Sequence, residues 1–298
     1  MWAWNERMKE EALCFDCQGS ALVGILHRPE TPGRRGVLVI VGGGPQYRAG
    51  GHRQLTLWSR RLAAEGYPVL RFDYRGMGDA HGDFRGFEHI GEDIDAAIAT
   101  FRTHVPELEE VVLWGECDAS SAILFHAHRH PAVGGAVLLN PWVRTEAGEA
   151  RAILRFYYLQ RLTQASFWKK VFSFKFNPLA SVASALGLLS KARSAAAPTA
   201  PTAPGPGAAP SLPTDRPLPE RLLFGMTRFK GKVMLVMSGR DLIAREFDDL
   251  VKNSPAWQAE FAAKPVTRFD FAEADHTFSS AAQREQVVNW GLAWLRSW

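Results

Sequence analysis

Cysteine is scarce in this chain: 298 residues hold three, Cys14, Cys17 and Cys117. So few thiols, and an odd number, leave no disulfide framework to staple the fold, and a chain of this length can bury a sizeable core instead. Cys14-Phe15-Asp16-Cys17 spells C-x-x-C, yet no second such pair and no histidine pair stands at metal-ligand spacing. A strand through this segment points the two thiols to opposite faces, so no metal or cofactor is expected. Long apolar runs are also missing, and none approaches the roughly 20 residues of a membrane-spanning helix. The opening stretch Met1-Trp2-Ala3-Trp4-Asn5-Glu6-Arg7 lacks a basic region followed by an apolar one, so no secretory signal is expected and the expected location is the cytoplasm. Strong charge of one sign is absent as well. The net charge is +4, and between Arg144 and Lys175 seven basic residues face two acidic ones, which leaves the remainder close to neutral. That distribution argues against nucleic-acid binding by the whole fold.

What the chain does contain is an alternation of buried-looking strands and amphipathic helices. Glu11 to Leu26 reads as an antiparallel hairpin around Gly19-Ser20. Gly36-Val37-Leu38-Val39-Ile40-Val41 is a β-branched run suited to a strand buried on both faces, and it ends in the loop Gly42-Gly43-Gly44-Pro45-Gln46. A helix over 55–64, a strand over 67–72, a helix over 90–104 and strands over 135–140, 232–238 and 266–271 follow. The last helix carries Val287, Trp290, Trp294, Leu295 and Trp298 on one face. Strand and helix in alternation imply a mostly parallel, doubly wound α/β sheet.

One stretch organises the rest. Val111-Val112-Leu113-Trp114 breaks at Gly115, turns over Glu116-Cys117-Asp118 and resumes as a helix pattern through Ile123, Leu124 and Ala127. Strand, sharp turn and helix with small residues at the flanks is the form of a nucleophile elbow, G-x-S-x-G, with Cys117 in place of serine and Ala119 in place of the second glycine. A thiol at a helix N-terminus is expected to have a lowered pKa. Such a motif alone is weak, because a single cysteine at a strand end is often a small apolar filler. Its weight grows because Asp241 and His276 also fall just after apolar strands, which puts all three at the C-terminal edge of one sheet, where ligands bind in such folds. Cys117 is expected to attack a carbonyl, His276 to hold its proton and later activate water, and Asp241 to fix the imidazole tautomer. Asp270 and Asp275 are rival acids, and Glu116 sits close enough to perturb the thiol. The oxyanion is expected at the backbone N–H of Asp118 with one from Gly44 or Gln46; Pro45 has none to give.

The loop Asp73-Tyr74-Arg75-Gly76-Met77-Gly78, lying between the glycine-rich loop and the elbow, resembles the D-x-R-G-x-G loop of the α/β-hydrolase family, where it shapes the turn beside the active site. Asp73 and Arg75 are accordingly read as structural. Nucleophile, acid and histidine in this chain order is the order of the triads of that family. Cysteine at the elbow is similar to dienelactone hydrolase, whose Cys-His-Asp triad opens an activated lactone. Asn140-Pro141-Trp142-Val143-Arg144-Thr145-Glu146, the basic segment and Lys175-Phe176-Asn177-Pro178-Leu179 resemble the exosortase A system-associated hydrolases of type 1. The resemblance implies a hydrolase or acyl-transfer role in envelope polysaccharide production.

The expected organisation is a hydrolase core over 1–142 and 220–298, interrupted by a helical cap over 143–191 and an Ala/Pro-rich flexible linker over 192–219. The cap interleaves Phe156, Tyr157, Tyr158, Phe167 and Trp168 with basic residues. Its expected contacts are core packing, an anionic small-molecule acyl substrate, or the inner membrane surface and an envelope-biosynthesis complex there. The leading reading is a cysteine-dependent hydrolase of esters, thioesters or lactones. An acyltransferase at the same site and a non-catalytic partner docking through the basic cap are the alternatives.

Overall fold

The computed structural model of the protein describes residues 8–144 and 216–298. The cap and linker expected between them lie almost wholly outside the described residues. Two long strands open the described chain, β1 (Met8–Cys17) and β2 (Ser20–Pro29), paired antiparallel. Their two-residue connection has Gln18 at φ 51° and Gly19 at φ 81°, the double positive φ that matches a tight hairpin to the twist of its strands. Cys14 is exposed and Cys17 buried, so the C-x-x-C thiols face opposite sides.

Six further strands complete an eight-stranded sheet among the described residues: β3 (Arg35–Ile40), β4 (Val69–Asp73), β5 (Glu110–Glu116), β6 (Val133–Leu139), β7 (Lys232–Ser238) and β8 (Val266–Phe271). Their order is β1-β2-β4-β3-β5-β6-β7-β8, with β1, β2 and β4 antiparallel neighbours and every pair from β4 to β8 parallel. The parallel strands are joined through α1 (Gln54–Ala64), α2 (Gly91–His104), α3 (Asp118–His126), α4 (Leu218–Arg228), α5 (Leu242–Asn253) and α6 (Pro255–Ala263), and α7 (Ala281–Leu295) closes the chain. α4 starts at Leu218, two residues inside the segment assigned to the linker, with Pro219 in its first turn where a missing N–H is harmless.

The central strands are buried almost end to end, as continuous apolar runs require when helices cover both faces. Successive residues of β5 show the two sides. Trp114 packs on Trp58 of α1 with ring centroids 5.8 Å apart, whereas a Cβ on Gly115 would lie 2.8 Å from the Ala119 carbonyl carbon of α3. β8 lies at one edge of the sheet, opposite β1, and is only partly covered, Trp290 of α7 stacking on its Phe269 at 4.7 Å. No helix among the described residues is long and apolar enough to cross a membrane.

Candidate active site

At the end of β5 the backbone reverses within one residue. Cys117 sits at φ 58°, ψ −125°, between the strand and the first turn of α3, a conformation that costs a non-glycine residue of order 1–3 kcal/mol unless its surroundings fix it. They do so on three sides. Cys117 N–H donates to the Leu139 carbonyl at 2.8 Å, Trp142 N–H donates to the Cys117 carbonyl at 3.2 Å, and Ser120 Oγ bonds Gly115 O at 2.8 Å while accepting from Leu139 N at 3.0 Å. The glycine before the turn is needed because strand and helix touch there, and Gly42 across the cleft is needed because a Cβ would stand 2.6 Å from Asp118 Oδ1.

Asp241 stands at the start of α5 and does two jobs. Its carboxylate caps that helix, accepting from Ile243 N at 3.0 Å and Ala244 N at 3.2 Å, and its Oδ2 meets His276 Nδ1 at 2.7 Å. The imidazole also hydrogen-bonds the Cys117 thiol. Burial works against a charged His276, but the bonds to Asp241 and Cys117 and their charges overcome it and raise its pKa to about 10. The rival acids are engaged elsewhere: Asp270 pairs with Arg268 at 2.6 Å, and Asp275 accepts from Ser279 N at 2.9 Å.

The thiol departs from the expectation of a lowered pKa. Burial pushes Cys117 above the ordinary cysteine value, against the pull of the His276 hydrogen bond and of the Asp118 backbone N–H. Only 8% of the residue is exposed, so desolvation outweighs the helix N-terminus that the sequence makes visible.

A cavity of about 240 Å³ opens beside Cys117 and His276. Ile40, Val41 and Leu55 give it apolar walls, and Gln46, Gln54 and Glu116 give it polar ones. Of the residues expected at the oxyanion, Gln46 lines this cavity, its side chain bonding the Gly42 carbonyl, whereas Gly44 stands outside the lining. The Asp118 backbone N–H lies against the Cys117 sulfur, and the Asp118 carboxylate accepts the Gly43 N–H at 2.7 Å. Asp73 is fully buried and holds the adjoining loop by accepting from Arg48 N at 2.6 Å and Asp79 N at 3.0 Å. Arg75 is spoken for by Asp93 at 2.7 Å.

Two residues not singled out as site residues in the sequence bear on the geometry. Asn140, fully buried just past β6 at φ 46°, donates to the His276 carbonyl at 2.9 Å and to Ser238 Oγ at 2.9 Å, and accepts from Ser238 N at 2.8 Å. It thereby ties the ends of β6 and β7 to the histidine loop. Phe278, two residues beyond His276, is wholly buried and packs on Trp58 at 6.2 Å, which anchors the same loop in the core. The residue type is the one sequence-level hint, since asparagine tolerates the positive φ found there.

The serine aminopeptidase S33 family matches residues 34–187, just over half of the chain. The chain belongs to this family of hydrolases. Its name carries serine, and at the elbow of this member the residue is Cys117. An esterase of Pyrococcus furiosus has the same fold, with a TM-score of 0.64 over 100% of this chain and 96% of that one at 15% identity. So does the acylaminoacyl peptidase of Pyrococcus horikoshii, with a TM-score of 0.60 over 98% of this chain but 41% of that one, also at 15% identity. The quorum-quenching protein AidA of Acinetobacter baumannii (strain MDR-ZJ06) is 36% identical over 107 residues. That match covers 34% of this chain and 34% of the relative, so the chain spans about a third of the length of the curated relative it matches.

Proposed function

We propose that this S33-family hydrolase acts on an ester, thioester or lactone through Cys117 as nucleophile, His276 as proton carrier and Asp241 as the acid that orients it. The observation that carries the reading is that the Asp241 carboxylate and the Cys117 thiol both bond the His276 ring. In the reacting form sulfur and imidazole hold one proton between them. Asp241 draws it toward His276, and burial of the sulfur keeps it on the thiol. When a carbonyl carbon enters, the S–C bond forms as the proton passes to His276, and the C–O or C–S bond to the leaving group breaks as His276 returns that proton to it. Water, deprotonated by His276, then cleaves the S–acyl bond, and the proton goes back to the released thiol. The negative oxygen formed in each step is assigned to the Asp118 backbone N–H, with Gln46 of the glycine-rich loop lining the same cavity.

The small cavity favours a short acyl group, and a thiolate favours activated acyl groups over peptide bonds. The resemblance to exosortase-associated hydrolases supports a substrate made in envelope polysaccharide production, with the basic segment beyond Arg144 as the contact to that machinery. The deciding experiment follows iodoacetamide alkylation of Cys117 against pH by peptide mass spectrometry, beside hydrolysis of short nitrophenyl esters and thioesters. His276→Ala is expected to move the alkylation midpoint upward, because it removes the partner that favours the thiolate. Cys117→Ala is expected to lower hydrolysis about a thousandfold or more. A thiol indifferent to His276 together with turnover that survives Cys117→Ala overturns the reading. Excess alcohol or thiol acceptor that diverts product from acid to ester identifies transfer in place of hydrolysis.

A further inference from the structure

Glu116 is the buried acid that this chemistry leaves unused. It is the last residue of β5, directly before Cys117, and it lines the cavity that also holds His276. Only 9% of it is exposed. One carboxyl oxygen, Oε2, accepts from the Gln54 side-chain amide of α1, while Oε1 is buried with no hydrogen-bond partner. A carboxylate with one oxygen unpaired away from water is costly, so the site stores a proton there.

We propose that Glu116 is a positioning residue for His276: seated on Gln54 directly before Cys117 and lining the cavity that His276 also lines, its carboxylate favours the charged form of the imidazole. The inference rests on the reading of His276 as the proton carrier of the site. Among the described residues the groups that act on Glu116 are His276, Asp241 and Asp275, with Cys117 and Asp118 next in the chain and the neutral Gln54 amide on α1. Burial is the largest influence and raises the Glu116 pKa to about 8, against the pull of a charged His276 and the Gln54 bond; the charges of Asp241 and Asp275 add to the rise. His276 titrates higher, at about 10. Linkage is reciprocal, so if the imidazolium favours the Glu116 carboxylate, the carboxylate favours the imidazolium equally. The consequence falls on the water step, which needs neutral His276. Ionised Glu116 retards deacylation in mildly alkaline solution and prolongs the life of the acyl-enzyme.

The test is an NMR titration of the His276 ring in the full-length protein labelled with nitrogen-15 histidine, its signal identified by its loss in His276→Ala. Glu116→Gln, which keeps the shape and the contact with Gln54, is expected to lower the His276 midpoint by about one unit. Gln54→Leu removes the bond that helps Glu116 ionise and is expected to move the midpoint the same way by less; it carries the test if Glu116→Gln does not fold. In single-turnover release of a nitrophenyl ester's acyl group, the rising limb of rate against pH is expected to shift to lower pH in Glu116→Gln by the same amount. An unchanged His276 midpoint in these variants overturns the proposal. Failure of the nucleophile reading looks different, since ester turnover then survives Cys117→Ala whatever the His276 titration shows.

Discussion

The most consequential contacts at the residue scale belong to side chains that perform no bond-making. Asn140 reaches three backbone or side-chain groups at once from a fully buried position, and one of these is the carbonyl of His276 itself. Asn140→Leu deletes those bonds and strands the Ser238 N–H and the His276 carbonyl. A loss of about 1–3 kcal/mol in urea unfolding is expected for each buried group left unpaired. If the bond to His276 also sets the reach of the imidazole toward Cys117, kcat for short-ester hydrolysis falls while KM stays near its wild-type value. A kcat per titrated active site that stays at the wild-type value while urea stability falls marks a role in folding alone.

Helix α5 and its cap place on one side chain a stabilising contact and, in the proposed mechanism, a chemical one. Asp241 accepts two N–H groups of the first turn and faces His276 with the same carboxylate. Asparagine is nearly as good a cap as aspartate, so Asp241→Asn separates the two duties. The variant is expected to melt close to wild type, yet to lose most hydrolysis and to drop the His276 midpoint from about 10, because the charge that favours the imidazolium is gone. Asp241→Ala loses the cap as well, at a further cost of about 1 kcal/mol. Calorimetry and the His276 titration on the two variants separate these contributions.

Across the whole molecule, buried titratable groups set opposite slopes of stability with pH. His126 on α3 is buried with both ring nitrogens unpartnered, and burial lowers its pKa to about 4 from the ordinary 6.5. The unfolded chain binds its proton first as pH falls, so the stability tied to neutral His126 is present above 6.5 and is lost between 6.5 and 4. Glu116 runs the other way. Its folded pKa is raised from 4.5 to about 8, so its contribution is present below 4.5 and is lost as pH rises toward 8. His126→Leu is expected to flatten the fall of melting temperature between pH 6.5 and 4 without loss of stability at pH 7, since an apolar replacement gives up no hydrogen bond. An acid slope unchanged in that variant assigns the sensitivity to other groups.

Local order in the sequence determined most of what is periodic or adjacent. The apolar runs of β3 and β7, the break at Gly115 and the apolar-polar rhythm of the helices follow from backbone sterics and burial of side chains within a few residues, so the mostly parallel α/β sheet is legible in the sequence. The placement of Cys117, Asp241 and His276 after strands was legible for the same reason, because parallel strands end at one edge. Element limits shifted by a few residues, as at Val69–Asp73 and Leu218–Arg228, where pairing and packing rather than propensity set the ends. Only the tertiary structure decided which carboxylate faces His276, since Asp241, Asp270 and Asp275 are alike in a string of letters and differ in what stands beside them. It also decided the sign of the Cys117 shift and the proton on Glu116. Both depend on desolvation, which is summed over neighbours brought from α1, β6 and the histidine loop, and no stretch of sequence contains that sum.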